Sequence, residues 1–260
     1  MARVTVGAAQ VEYDQRGAGP QLLLIHSLLT ELTVFDRVLP ALADTRRVTR
    51  INLPGFGAST PLRLHTVAEH AGHVARVMES LALPHDTAVF GNGFGAFVAL
   101  ELAIRHGGCF GPLVVADTLA AFTERARVPF RVMAERVLAG GMAAVLDTAI
   151  ARMFPPAFAA RHPELMAERK AALAAVDAQC FARACLALAA LDLTRDAPRI
   201  ANPTLVLCGA LDQTTPPALA RELAQLIPGA RYEDIPECGH CPMLEQPALL
   251  TERVQGFLAH

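Results

Sequence analysis

Apolar residues along this chain fall into short unbroken runs set apart by turn residues, with stretches of helical spacing between them. The runs Gln21–His26, Val48–Asn52, Thr87–Phe90, Leu113–Asp117, Thr204–Gly209 and Ala230–Ile235 are mostly rich in Leu, Ile and Val. Short apolar runs without polar alternation predict strands buried on both faces, as in a parallel sheet. Leu64–Ser80 places Val67, Ala71, Val74 and Met78 on one helical face. Ala96–Arg105, Pro217–Leu226 and Pro247–Leu258 predict further helices. The opening residues, MARVTVGAAQVEYDQRG, alternate like a strand. Strand and helix signals in turn predict an α/β fold, a mostly parallel twisted sheet flanked by helices.

The strand signal disappears between Thr118 and Pro198. That stretch is rich in Ala, Leu, Met and Arg, with breaks at Gly140-Gly141, Pro155-Pro156 and His162-Pro163. It predicts about four helices. The expected organisation is a core of residues 1–118 and 198–260 with a helical cap, 119–197, inserted over the C-terminal strand edge. Ligands of open α/β sheets bind at that edge. Phe130, Met133 and Val137, at helical spacing in the cap, are expected to be packing residues.

Composition narrows the function. The chain has 260 residues, 53% of them hydrophobic, 18% charged, and a formal net charge of −2. That balance argues against nucleic acid, a membrane surface or a charged polymer as partner. The longest apolar runs are too short to span a bilayer. The first residues lack the apolar core of a secretory leader, so a cytoplasmic location is expected. Cys109, Cys180, Cys185 and Cys208 sit in apolar surroundings and read as small core residues. Cys238 and Cys241 form a CxxC of the redox type, but no second pair completes a zinc site. With no dinucleotide fingerprint after the first strand, neither a cofactor nor a metal is expected.

Five fragments carry the chemistry, in order: LLLIHSLL (22–29), NLPGFGAS (52–59), VFGNGFG (89–95), CGALDQTTPP (208–217) and IPECGHCPMLEQP (235–247). Together they resemble the α/β-hydrolase superfamily over nearly the whole chain. The resemblance is to the capped esterases, the 3-oxoadipate enol-lactone hydrolases and the meta-cleavage C–C hydrolases. In that superfamily a serine nucleophile in G-x-S-x-G sits on a sharp strand-to-helix turn, with an acid and then a histidine later in the chain.

The resemblance makes His240 the base and Asp212 its acid, with Asp117, at the end of a strand, as a backup acid. It assigns the backbone N–H groups of Leu28 and Phe94 to the oxyanion hole. Both outer glycines of the elbow are present as Gly91 and Gly95, but the nucleophile position is Gly93. A second departure lies at His26-Ser27, where the family usually has His-Gly. The Ser27 hydroxyl either enters the site and binds substrate or caps its own loop. His26 is expected to order that loop. His65, His70, His73, His85, His106 and His162 show no convergent spacing and are expected to be solvated.

Glycine tolerates the strained elbow but attacks nothing, so acylation at residue 93 is excluded on chemical grounds. The expected function is therefore hydrolysis of a small ester, lactone or C–C bond next to a carbonyl. The His240–Asp212 pair would serve as general base without a serine nucleophile. Alternatives are cofactor-free lyase, isomerase or oxygenase chemistry on the same pair, a serine hydrolase inactivated by a Ser-to-Gly change, and a non-catalytic ligand binder. The expected partner is a small molecule, mostly apolar or cyclic, carrying a carbonyl; a homodimer stays open.

Overall fold

The computed structural model describes residues 1–259. In it the apolar runs become the strands of one eight-stranded sheet. β1 (Ala2–Val6) and β2 (Ala9–Arg16) form a hairpin at one edge. β3 (Gln21–Ile25), β4 (Arg47–Ile51), β5 (Ala88–Asn92), β6 (Leu113–Ala116), β7 (Thr204–Gly209) and β8 (Arg231–Ile235) follow. Their spatial order is β1-β2-β4-β3-β5-β6-β7-β8. β2 runs antiparallel to both neighbours, and every later pairing is parallel. The central strands β3, β5, β6 and β7 are buried along their whole length. Their unbroken apolar runs reflect that two-sided burial.

The helices are α1 (Leu39–Ala43), α2 (Val67–Ser80), α3 (Phe94–His106), α4 (Glu124–Gly140), α5 (Leu146–Met153) and α6 (Pro156–Arg161). They continue with α7 (Pro163–Ala174), α8 (Ala178–Ala190), α9 (Pro217–Leu226), α10 (Pro242–Glu245) and α11 (Pro247–Leu258). α2 begins with a capping box: Thr66 accepts from the Glu69 N–H while the Glu69 carboxylate accepts from the Thr66 N–H. That reciprocal pair satisfies two otherwise orphaned donors. Its buried stripe contains Val67, His70, Ala71, His73, Val74, Val77 and Met78. His70 and His73 are thus buried rather than solvated, because they share the helix face that packs on α3 and β1.

Five helices, α4 to α8, stand between β6 and β7, one more than the sequence pattern predicts. The Pro155-Pro156 pair and Pro163 frame a separate short α6, since proline at the first helical position starts a helix rather than continuing one. A further break falls at Asp177, whose carboxylate accepts from the Cys180 N–H at 2.7 Å and caps α8. α4 packs along α8, and a bridge between Ala121 and Asp192 ties their bases together. This helical group meets the C-terminal ends of the central strands. No single helix among the described residues is long and apolar enough to cross a membrane.

Candidate active site

The chain turns sharply from β5 into α3 at Gly93, whose φ is +52° and ψ −117°. L side chains rarely adopt this conformation. The Gly93 N–H donates to the Ala116 carbonyl at 3.0 Å, and its own carbonyl accepts from the Ala96 N–H at 2.9 Å. A side-chain carbon on Gly95 would lie 2.2 Å from the Ile25 carbonyl oxygen. The outer glycine therefore lets α3 start directly against the end of β3.

His240 lies in the loop between β8 and α10, and Asp212 in the loop after β7. The ring Nδ1 and Asp212 Oδ2 are 2.8 Å apart. Asp212 Oδ2 also accepts from Thr215 Oγ1 at 2.5 Å, and Oδ1 accepts from the N–H groups of Thr214 and Thr215. Burial alone would raise the Asp212 pKa, but the His240 charge and these donors hold it below the usual carboxylate value. Burial likewise pulls on His240, yet the Asp212 carboxylate outweighs it and raises the ring above its ordinary value. An ionised Asp212 fixes the proton on Nδ1 and leaves Nε2 as the acceptor. That Nε2 lies 2.8 Å from the point where a side-chain carbon on Gly93 would sit.

The carboxylate that reaches His240 is that of Asp212, not Asp117. Asp117 is fully buried at the end of β6 rather than in a surface loop, with a positive φ of 56°. Its oxygens accept from Asn92 Nδ2 and from the Gly209 N–H, each at 2.8 Å. Burial, and then the neighbouring Asp212 charge, push its pKa well above the usual range. Asn92 Nδ2 also donates to the His240 carbonyl at 3.2 Å, so Asn92 and Asp117 buttress the histidine loop from behind. Asp117, Asp212 and His240 offer atoms within 4.8 Å of one another. Their oxygens are, however, already taken up by N–H and O–H donors.

On the opposite wall, the loop after β3 is ordered by its neighbours. His26 Nδ1 donates to the Ser27 carbonyl at 2.8 Å, and Nε2 accepts from the Leu53 N–H at 3.0 Å. Complete burial lowers the His26 pKa to about 4, which keeps this ring neutral. Thr30 closes the loop: its Oγ1 accepts from the Ser27 N–H and donates to the Ser27 carbonyl. The Ser27 side chain takes no part in that closure. Its hydroxyl oxygen lies 2.2 Å from the side-chain point of Gly93. Leu28 and Phe94 line the same space, and the N–H group of neither has an intramolecular acceptor among the described residues. Phe94 is the first residue of α3, where N–H groups lack intrahelical partners and the helix dipole favours negative charge.

These groups open on a narrow cavity lined by Ser27, Gly93, Phe94 and His240 below and by Phe130, Met133, Arg152 and Leu188 above. Phe130 and Met133 thus touch the cavity as well as the core; Val137 is buried in packing alone. Arg152, from α5, lines both this cavity and a wider groove outside it. Its guanidinium stands 5.4 Å from the Phe130 ring centre and forms no ion pair among the described residues. Sequence reasoning missed Arg152, because nothing in the helical pattern of residues 119–197 says which side chain faces the cavity. It also missed Thr215, although a hydroxyl three residues beyond an aspartate is a common local partner.

Cys238 and Cys241 flank His240 and are fully buried free thiols. Burial drives both pKa values up, the opposite of a reactive redox pair. Cys109 is half-buried rather than core, and its thiol donates to the His106 carbonyl.

Residues 22–253 match the family described as "Alpha/beta hydrolase family". Among curated relatives, polyketide synthase ThaQ of Burkholderia thailandensis is 31% identical over 97% of this chain. The chain spans only 12% of the length of that relative. 3-Oxoadipate enol-lactonase 2 of Acinetobacter baylyi is 28% identical over 92% of this chain and 88% of its own. Among solved structures, the enol-lactonase from Burkholderia xenovorans LB400 superposes with a TM-score of 0.92 at 29% identity, covering all of both chains.

Proposed function

Given that this chain belongs to the alpha/beta hydrolase family, we propose that it hydrolyses small esters or lactones with His240 as general base and Asp212 as its acid partner. The observation that carries this reading is the 2.8 Å contact between His240 Nδ1 and Asp212 Oδ2, with Nε2 turned toward the cavity above Gly93. A neutral imidazole backed by a carboxylate accepts a proton at neutral pH, and the carboxylate then stabilises the imidazolium. Leu28 and Phe94 offer backbone N–H groups where a carbonyl oxygen would gain charge. The similarity to proteins named enol-lactonase extends over nearly the whole chain, which supports a carbonyl-directed hydrolysis.

The cavity sets the substrate. Its walls are mainly Leu, Phe and Met, with a few polar groups at one end. A small, mostly apolar or cyclic molecule fits that lining. Arg152, a cation on its wall, suits a carboxylate or carbonyl at the far end of such a molecule. The helical group 119–197 acts as the lid over this space, and the setting is cytoplasmic.

Proton abstraction from carbon, as in a lyase or cofactor-free oxygenase, would use the same Nε2. Simple loss of the elbow serine fares worse, because the space for that side chain is filled by the Ser27 hydroxyl. The test is steady-state hydrolysis of activated aryl esters and small lactones, neutral and carboxylate-bearing, by the wild type and His240→Gln. The reading expects a loss of about 10³-fold or more in the variant; equal turnover by the two proteins would end it.

A further inference from the structure

We infer that the Ser27 hydroxyl is the nucleophile of this site, moved from the elbow to the loop after β3. The inference rests on the reading of His240 as a base acting at a carbonyl. Three observations carry it. The Ser27 oxygen lies 2.2 Å, and the Ser27 Cβ 3.0 Å, from the point where a side-chain carbon on Gly93 would sit. His240 Nε2 lies 2.8 Å from that same point. The Ser27 oxygen has no hydrogen-bond partner within its own loop, whose closure falls to Thr30, and it lines the cavity.

Serine at 27 and glycine at 93 therefore read as one exchange. A hydroxyl entering from the β3 loop fills the place of a hydroxyl entering from the elbow, and the elbow gives up its side chain to make room. The oxyanion donors survive the exchange. In the usual arrangement one N–H follows the nucleophile and the other comes from the loop after the third strand. Here Leu28 follows Ser27, and Phe94 starts α3, so each wall still supplies one donor. Among the described residues no hydrogen bond joins Ser27 to His240; contacts of this kind tighten when substrate binds.

The chemistry balances without any co-reactant except water. His240 Nε2 takes the Ser27 proton as Oγ bonds to the carbonyl carbon, and the carbonyl oxygen becomes an oxyanion. The carbon–oxygen bond to the leaving alcohol breaks, and the imidazolium returns its proton to that oxygen. Water then gives a proton to His240 and its oxygen to the acyl carbon. The Ser27 oxygen leaves and recovers the proton. A lactone opens by the same steps with its leaving oxygen still tethered.

The experiment is covalent labelling of the full chain with a p-nitrophenyl alkylphosphonate. An activated serine attacks its phosphorus, forming an O–P bond as p-nitrophenolate leaves. Peptide mass spectrometry is expected to find one phosphonyl group, on Ser27. The adduct should vanish in Ser27→Ala and Ser27→Gly, two variants that guard against one of them misfolding, and form at least about 10²-fold more slowly in His240→Gln. A label on another residue, or none at all, overturns the inference. If Ser27→Ala retains ester turnover within about threefold of wild type while His240→Gln loses it, the relocated nucleophile falls and the His240 base stands. If both variants keep wild-type turnover, both readings fall.

Discussion

The Ser27 hydroxyl oxygen lies 2.2 Å from where a side-chain carbon on Gly93 would be placed, so the two positions cannot both carry an outward-facing side chain as they stand. Glycine at 93 is thus favoured by its neighbour as well as by its own backbone.

Stability should report this directly. Gly93→Ser combines a φ of +52° with a clash against Ser27 and His240. Overpacking of this kind costs about 1–3 kcal/mol, and the backbone strain adds roughly 1–2 kcal/mol. In a Ser27→Gly background the clash with the hydroxyl is gone. Urea unfolding should then show Gly93→Ser costing at least about 1 kcal/mol less than in the wild type, a non-additivity expected of touching residues. Equal costs in the two backgrounds would mean that the side chains do not compete.

The pH dependence of turnover follows from His240. The base must be neutral to accept a proton, and the Asp212 charge holds its pKa above the ordinary 6.5. Activity, followed as kcat/KM for an aryl ester, should therefore fall as pH drops through a value above 6.5. Asp212→Asn removes the charge that raises the ring, so the limb should move to lower pH. The rate should drop by roughly 10³–10⁴ as the tautomer is lost. A limb that stays in place in Asp212→Asn would contradict the pairing.

Acid should unfold the protein through a different set of rings. Burial lowers His70 to about 3 and His73 and His26 to about 4, against 6.5 for an unhindered ring. Both His70 ring nitrogens also lack hydrogen-bond partners. Between 6.5 and these values the unfolded chain binds protons that the folded chain refuses, so stability falls as pH falls. Each such ring contributes a slope of about 1.4 kcal/mol per pH unit. His240 has the opposite sign: its raised pKa adds stability that is lost as pH rises through its folded value. Urea midpoints from pH 6.5 to 4 should fall steeply in the wild type, and His70→Leu should flatten the slope by about one proton. An unchanged slope would place His70 outside the acid response.

The parallel sheet was legible because its central strands are apolar on both faces and their turns carry glycine or proline. β7, α9 and α11 keep the limits read from the chain. The helices over the site were less legible. α6 is a single short piece framed by Pro155-Pro156 and Pro163, and the start of α8 depends on one Asp177 side chain. His70 and His73 looked solvated by residue type, yet tertiary packing of α2 decides their burial. Asp117 and Asp212 both end or follow strands, and only the fold shows which one reaches His240. The relation of Ser27 to Gly93 left a trace in the sequence as two departures from one pattern. Nothing in a linear reading says that the two departures meet at one point in space.

The proposed relocation moves a hydroxyl facing His240 from one wall to the other without taking it out of the site. Its most direct measure is hydrolysis of one activated aryl ester by four proteins: wild type, Ser27→Gly, Gly93→Ser, and the variant carrying both changes. Each single change should lower kcat/KM by at least about 10²-fold, and the double change should restore activity to within about tenfold of wild type. A double variant as inactive as Ser27→Gly, or a Ser27→Gly protein as active as wild type, would contradict it.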